Sequence, residues 1–247
     1  MRILALETTE RVGSLAVLHE GEPVAEARLP AEQRSAASFA VGIEQLLREV
    51  GWKIRDLQCV ATCVGPGSFT GLRIGVTAAK TLAYATGAKV IGVNTLEVIA
   101  LGVGQKTPRL WTILDAFRGQ VFAAQFSNEA GPAEPPRTLV PTQIYEVADW
   151  LNRLGPGDVV CGPMLEKLHA RLPAEVSASE RDDWTPRAAW VGQRAWQRLA
   201  AGESDDLWQL VPNYYRASAA EEKATEEKAA AEKAHQQAAT KSSASDT

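Results

Sequence analysis

Leu4-Ala5-Leu6-Glu7-Thr8-Thr9 opens a pattern that returns as Leu110-Trp111-Thr112-Ile113-Leu114-Asp115. In each place a short apolar strand ends at an acidic residue, a glycine-containing turn follows, and the chain comes back as a second strand, at residues 14–19 and 121–126. Each half then continues through a turn to a third strand and a helix. One supersecondary unit therefore occurs twice, which predicts a duplicated α/β fold.

Two lobes of this kind predict a fold of the actin and Hsp70 ATPase type, with residues 1–104 in the first lobe and 105–216 in the second. The helix of the first unit is expected at 35–50, and that of the second at 142–154. From 217 to 247 the chain repeats Glu, Lys and Ala without an apolar stripe. Such a segment cannot bury enough surface to offset its ordering entropy, so we expect a disordered or solvated helical tail.

Composition limits the classes of function. The 247 residues carry 26 Lys and Arg against 30 Asp and Glu, a formal net charge of −4. A protein that gripped RNA alone would show a basic face, because phosphate neutralisation supplies most of the affinity. The N-terminal apolar run is too short for a signal peptide, and no apolar stretch approaches the roughly 18–20 residues of a membrane span. These features predict a cytoplasmic protein with no membrane partner.

A glycine-rich connection is the strongest local motif. Gly65-Pro66-Gly67-Ser68-Phe69-Thr70-Gly71 joins a buried strand to a helix that is expected to reach Thr86 and to be capped by Gly87. Free backbone N–H groups and the helix dipole would make an anion site there. The alternative is a tight connection whose glycines allow close packing. The candidate anion or nucleotide-like loop comprises Glu7, Thr8, Thr9, Gly65, Gly67, Ser68, Thr70 and Arg73.

Catalytic machinery is poorly supported by the residues. Glu7 and Asp115 end corresponding strands, where a phosphotransferase of this fold would organise a metal-bound phosphate, but the turn after Asp115 has one glycine and the bulky Phe117. The three histidines lie far apart, and no paired-imidazole motif occurs, which argues against a metalloprotease. We therefore expect no catalytic residue and no metal site. An ATP-dependent phosphotransferase or ATPase stays as the alternative.

The glycine loop, together with three further segments, resembles the TsaB (YeaZ) family. The opening strand and turn resemble those of the family, although Glu7 stands where Asp is commoner. Residues 115–122 resemble its Asp-Ala-Arg-Arg-Gly-Glu-Val-Tyr segment, and residues 212–216 its closing Pro-x-Tyr-Leu-Arg. The match covers residues 1 to about 216. It departs at Gln33-Arg34-Ser35, where a His-Ser pair is common in the family.

The resemblance implies a non-catalytic subunit. TsaB-like proteins pair with TsaD, which transfers a threonylcarbamoyl group to the tRNA adenosine beside the anticodon, and an ATPase, TsaE, joins the assembly. It further implies a homodimer when the chain is alone, and contact with tRNA only through the complex. No cofactor is then required by this chain, and ATP or ADP would belong to the interface of the complex.

A line of small residues offers a candidate partner interface. Gly71, Gly75, Ala79 and Ala83 recur every four residues in the helix after the glycine loop, and the preceding helix offers Ala36 and Ala40 in a similar way. Small side chains let a second helix approach closely. The resemblance implies that these two helices meet their counterparts in a four-helix contact. The competing interpretation is that Gly75 and Ala79 pack on the chain's own sheet.

Overall fold

The computed structural model describes residues 1–29, 36–129 and 134–216, with the side chains of residues 36–38 left out. The chain divides into two compact units, residues 1–213 and 214–247, and the following account concerns the first. The predicted tail at 217–247 and the side chain of Ala36 lie outside the described residues. Within the described ranges, no helix is both long and apolar enough to cross a membrane.

The first half forms a five-stranded sheet in the order β3-β2-β1-β4-β5. Strands β1 to β3 are antiparallel neighbours, whereas β4 and β5 run parallel to β1. Helices α1 and α2 pack on one face, where side chains such as Leu4 and Leu6 join the core. The elements are β1 (Arg2–Glu7), β2 (Ser14–His19), β3 (Glu22–Arg28), α1 (Ala36–Glu49), β4 (Cys59–Gly65), α2 (Phe69–Thr86) and β5 (Lys89–Asn94).

The second half repeats this topology. Its sheet has the order β10-β9-β6-β7-β8, so each strand occupies the place of its counterpart in the first sheet. The predicted duplicated, actin-like α/β fold is therefore confirmed. Helix α3 contacts strands of both sheets. The elements are α3 (Thr95–Gly102), β6 (Thr107–Asp115), β7 (Gln120–Asn128), β8 (Arg137–Glu146), α4 (Val147–Leu151), β9 (Val159–Cys161), α5 (Leu165–Leu168), β10 (Ser177–Ala178) and α6 (Ala188–Ala200).

Two helix ends match their sequence signals, and one helix does not. Gly87 ends α2 in the left-handed region at φ 73°, and the Asn94 side chain accepts hydrogen bonds from the first turn of α3. The helix predicted at 142–154 was wrong in its start. Strand β8 continues to Glu146 because its register with β7 holds as far as that residue, opposite Gln120, so only α4 remains helical.

Helix α6 lies on the other face of the first sheet, although it follows the second sheet in sequence. It contacts β1 and β2 most extensively. Leu18 packs directly against Gly192 of α6, where a Cβ added to the glycine would stand 2.0 Å from the Leu18 Cδ1. Ile3 and Ala5 belong to the same cluster as the buried residues of α6. The lobe limits 1–104 and 105–216 stay a prediction.

Residues 203–213, which we call the C-terminal arm, run back along the first sheet. The Asp205 N–H donates to the Val90 carbonyl, and its carboxylate accepts from the Gly92 N–H at 2.7 Å. Two guanidinium nitrogens of Arg198 on α6 donate hydrogen bonds to the same carboxylate, at 2.9 and 3.1 Å. The Lys80 ammonium on α2 donates to two arm carbonyls. The arm is thus held by the edge strand and by a helix on each face.

Candidate functional site

Three glycines in and just after the predicted anion loop, Gly67, Gly71 and Gly75, lie so close to other parts of the chain that a side chain would have no room. A Cβ on Gly71 would stand 1.8 Å from the Thr8 carbonyl oxygen, and one on Gly75 would stand 2.5 Å from the Thr8 hydroxyl. At Gly67 it would lie 2.5 Å from the Thr9 Cβ. The β1–β2 turn therefore presses against the start of α2. Of the two hypotheses for this motif, these distances support close packing.

Hydrogen bonds fix the same contact. The Thr8 hydroxyl donates to the Gly71 carbonyl at 2.7 Å, and the Ser68 N–H donates to the Thr9 carbonyl at 2.9 Å. Ser68 caps α2 by accepting from the Gly71 N–H. Glu7 is fully buried, and one of its oxygens accepts from the N–H and the hydroxyl of Thr9. These hydrogen bonds hold the β1–β2 turn in its conformation and against the start of α2.

The other members of the predicted loop lie on two sides of it. Gly65 faces the C-terminal arm, since a Cβ there would stand 2.8 Å from the Asn213 carbonyl oxygen. Thr70 is exposed on the first turn of α2. Arg73 lies one turn further on, with its guanidinium 4.0 Å from the centroid of the Phe69 ring. The structure thus gathers Glu7, Thr8, Thr9, Gly67 and Ser68, and places Arg73 toward the groove described below.

The corresponding turn in the second half is also engaged. The Asp115 carboxylate accepts from the Phe117 N–H at 2.7 Å and from the Lys167 ammonium at 2.5 Å. This hydrogen bond and the carboxylate charge raise the pKa of Lys167. Phe117, 70% exposed, and Arg118 adopt left-handed conformations at φ 60° and 53°. The Asp115 carboxylate is therefore engaged by two groups of the chain itself, the Phe117 N–H and the Lys167 ammonium.

Other reactive groups are inert or dispersed. Burial raises the pKa of Cys59 and of Cys161 to about 12, and it raises that of Cys63 well above its ordinary value, with the Glu7 charge acting in the same direction. A thiolate nucleophile is therefore disfavoured at all three positions. Among the residues that the structure describes, no group of three or more His, Cys, Asp or Glu side chains is placed to hold a metal ion.

An open apolar groove of about 930 Å³ runs between α1 and α2. Its apolar lining includes three side chains from each helix, spaced four residues apart. Those of α1 are almost fully buried, whereas those of α2 are half-buried and reachable from outside. An apolar groove that stays open to solvent is a candidate interaction site. The residues are Phe39, Ile43 and Leu47 on α1, and Ile74, Ala78 and Leu82 on α2.

The small residues of α2 lie on a different face from the one expected. Ala79 is 0% and Ala83 1% exposed, and both belong to the core beneath α2. Gly71 and Gly75 meet Thr8. The prediction that these four residues meet a partner is therefore corrected. They face the chain's own sheet and β1–β2 turn, which approach the helix too closely for larger side chains. Ile74, Ala78 and Leu82, which directly precede three of them, line the groove, as does the exposed Ala40 of α1.

Known proteins are similar to this chain in sequence and in fold. The family model for "TsaD: tRNA N6-adenosine threonylcarbamoyltransferase" matches residues 30–183. The tRNA threonylcarbamoyladenosine biosynthesis protein TsaB of Bacillus subtilis is 30% identical over 236 residues, 90% of this chain and 97% of that protein. Its namesake in Escherichia coli is 32% identical over 131 residues, 52% of this chain and 56% of that protein.

The structure of YeaZ from Pseudomonas aeruginosa superposes with a TM-score of 0.73 at 23% identity, covering 86% of this chain and 99% of that one. At this identity the likeness concerns the fold alone. The family membership rests on the sequence relatives, of which the B. subtilis protein spans nearly the whole chain. The resemblance drawn from the motifs is thus confirmed, and the chain belongs to the TsaB family.

Proposed function

We propose that this protein is the non-catalytic subunit of a tRNA threonylcarbamoyl transferase assembly. A TsaD-like partner would carry out transfer to the tRNA adenosine next to the anticodon, and this chain would bind that partner. One observation carries the proposal: the strand-end turns are closed by the chain's own side chains, while an apolar groove on the helical face is open. We therefore assign this chain a binding role, carried out through the groove.

The groove is the proposed docking site for the partner. An apolar lining formed at four-residue spacing on two adjacent helices suits a pair of helices laid against it, at the roughly 8–10 Å axis spacing of close helix packing. Burying that lining removes apolar surface from water, which is the main driving force for association. When the chain is alone, a second copy can cover the same groove as a homodimer.

The remaining members of the assembly follow from this role. A TsaE-like ATPase joins the pair, and tRNA is bound through the complex, since this acidic chain has no excess of basic residues with which to hold it. The chain itself requires no cofactor, and ATP or ADP belongs to the interface of the complex. The assembly acts in the cytoplasm.

Two adjacent substitutions on α2 test the docking site. Ala78 lines the groove and Ala79 faces the core. Ala78→Arg should keep a near-native melting temperature but fail to capture a TsaD-like protein from the same cell, with loss of threonylcarbamoyladenosine in tRNA hydrolysates. Ala79→Arg should instead unfold the protein, because it buries an unpaired charge. A folded Ala78→Arg variant that captures the partner normally would disprove this site.

A further inference from the structure

The β6–β7 turn holds an exposed aromatic side chain in a costly backbone conformation. Phe117, Arg118 and Gly119 follow one another in the left-handed region, at φ 60°, 53° and 79°. Glycine, asparagine and aspartate suit that region, whereas a bulky residue there is rare and strained. Phe117 is also 70% exposed, so burial within the chain returns little of the cost. Strain of this kind is found where a turn holds a side chain for binding.

Hydrogen bonds fix the turn from two sides, so the ring is presented on a rigid support. The Phe117 N–H donates to the Asp115 carboxylate, which the Lys167 ammonium of α5 also binds. The Gly119 carbonyl accepts from the Val147 N–H, at the start of α4, at 3.0 Å. A side chain whose backbone is already fixed loses less conformational entropy on binding.

The corresponding turn of the first half, residues 8–13, shows what this position in the fold can contact. There Thr8 and Thr9 are buried against the start of α2, which has 18 residues. In the second half the helix in the place of α2 is α5, which has 4 residues. Helix α5 contributes the Lys167 ammonium to the turn and leaves Phe117 exposed. The same position is thus covered within the chain in one half and open to another molecule in the other.

A polar cleft of about 510 Å³ opens beside the turn, at the residue that follows it. The Gln120 amide nitrogen donates to the Glu146 carboxylate at 2.5 Å, whereas the Gln120 amide oxygen is buried and has no hydrogen-bond partner among the described residues. Asp149 of α4 is exposed at the same cleft. The Arg153 guanidinium lies 5.0 Å from the centroid of the Tyr145 ring. The remaining lining residues are Ile144 and Asn152.

The chemistry of the cleft suits a positively charged hydrogen-bond donor. Two carboxylates and one guanidinium give its lining a formal charge of −1, and the carboxylates and the Gln120 oxygen are acceptors. Lysine and arginine side chains combine positive charge with several N–H donors. Opposite charges across an interface favour association and fix its register. A basic side chain of a partner therefore complements the cleft.

We propose that the β6–β7 turn and this cleft form a second docking site. It takes a protein segment that receives the Phe117 ring in an apolar pocket and places a lysine or arginine side chain in the cleft. The site shares no residue with the groove between α1 and α2, so both can be occupied at once. This inference rests on the proposed function, which assigns the groove to the TsaD-like partner and leaves the TsaE-like ATPase without a binding surface. The second site is assigned to that ATPase.

Phe117→Asn distinguishes a presented side chain from a structural one. Asparagine tolerates the left-handed region, so the full-length variant should melt about 2 °C higher than wild type in differential scanning calorimetry. A side chain that supports the fold would give the opposite sign. In biolayer interferometry, the pair of this variant and the TsaD-like protein should bind the TsaE-like ATPase at least about tenfold more weakly than the wild-type pair. The matched control Val211→Asn removes an apolar side chain that is 58% exposed on the C-terminal arm, and it should bind as wild type.

Asp149→Lys reverses a charge in the cleft. It should weaken binding of the ATPase by about tenfold at about 50 mM sodium chloride, and the loss should shrink at about 500 mM, because salt screens this contribution. Glu175→Lys makes the same charge change at another exposed position of the second half, and it should behave as wild type. A loss that is equal at both salt concentrations would overturn the role of the cleft.

A Phe117→Asn variant that melts as expected and binds the ATPase normally would overturn the proposal. A lower melting temperature would overturn it as well, because Phe117 would then support the fold. If the variant loses the TsaD-like protein in the absence of the ATPase, or loses only tRNA, the assigned occupant is wrong. Failure of the proposed function is distinguishable, since it appears with Ala78→Arg and the TsaD-like protein alone.

Discussion

Gly71→Ala is the most demanding test of the closed turn. The new methyl group would stand 1.8 Å from the Thr8 carbonyl oxygen, a backbone atom that cannot turn aside as a side chain can. The turn and the helix must therefore separate by more than about 1 Å to reach an ordinary contact. That movement stretches two hydrogen bonds, from the Thr8 hydroxyl to the Gly71 carbonyl and from the Ser68 N–H to the Thr9 carbonyl.

The magnitude follows from opposing contributions. Alanine in place of glycine inside a helix stabilises by about 1 kcal/mol. Overpacking costs about 1–3 kcal/mol, and each of the two hydrogen bonds contributes about 1 kcal/mol. The net expectation is a free energy of unfolding lower by about 3 kcal/mol. For a chain of this length that corresponds to a melting temperature lower by about 9 °C.

Urea denaturation followed by circular dichroism measures this change directly. Gly104→Ala is the matched control, because nothing lies within 4 Å of its added Cβ, and it should change stability by less than about 0.5 kcal/mol. A Gly71→Ala variant as stable as wild type, or more stable through helix propensity alone, would refute the close approach. The space beside Gly71 would then be available to a ligand.

Three further predictions concern pH, catalysis and the tail. Because burial raises the pKa of Cys59 to about 12 from an ordinary 9.0, the thiol ionises first in the unfolded chain, and stability should fall as pH rises above 9. At pH 10 this thiol accounts for about 1.4 kcal/mol, which Cys59→Ala should remove from the pH dependence of urea unfolding. The isolated protein should not hydrolyse ATP with magnesium, since the strand-end turns are closed; turnover abolished by Asp115→Ala would instead support the phosphotransferase. Deleting residues 217–247 should leave melting temperature and partner binding unchanged, and a large fall in melting temperature would show that the tail packs.

The fold could be predicted because its determinants are local. An apolar strand that ends at Glu7 and another that ends at Asp115 are visible as short patterns, and the turn and cap residues around them have strong conformational preferences. Their repetition then supplies the long-range arrangement. Strand β8 was harder, because the residues at 142–146 suit a helix start as well as a strand, and pairing with β7 decides between them.

The site could be predicted only in part because it depends on tertiary distances. The spacing of Gly71, Gly75, Ala79 and Ala83 reveals that something approaches α2 closely, but it does not reveal what. Close approach by a neighbouring subunit and close approach by the chain's own turn both require small side chains, so the spacing alone does not distinguish them. The groove has the complementary difficulty: Phe39 and Leu47 carry the pattern of core residues, and only the gap between two helices makes them part of a surface.

The position of α6 has a consequence for synthesis of the protein on the ribosome. Chains emerge from the N-terminus, and the first sheet is complete in sequence at Asn94. The face that carries Ile3 and Ala5 is covered mainly by α6, which leaves the exit tunnel only after the whole second sheet has been made. The nascent chain therefore displays an apolar surface while its second half is being synthesised. Chaperones that bind such surfaces have their longest opportunity on the half of the protein that is synthesised first.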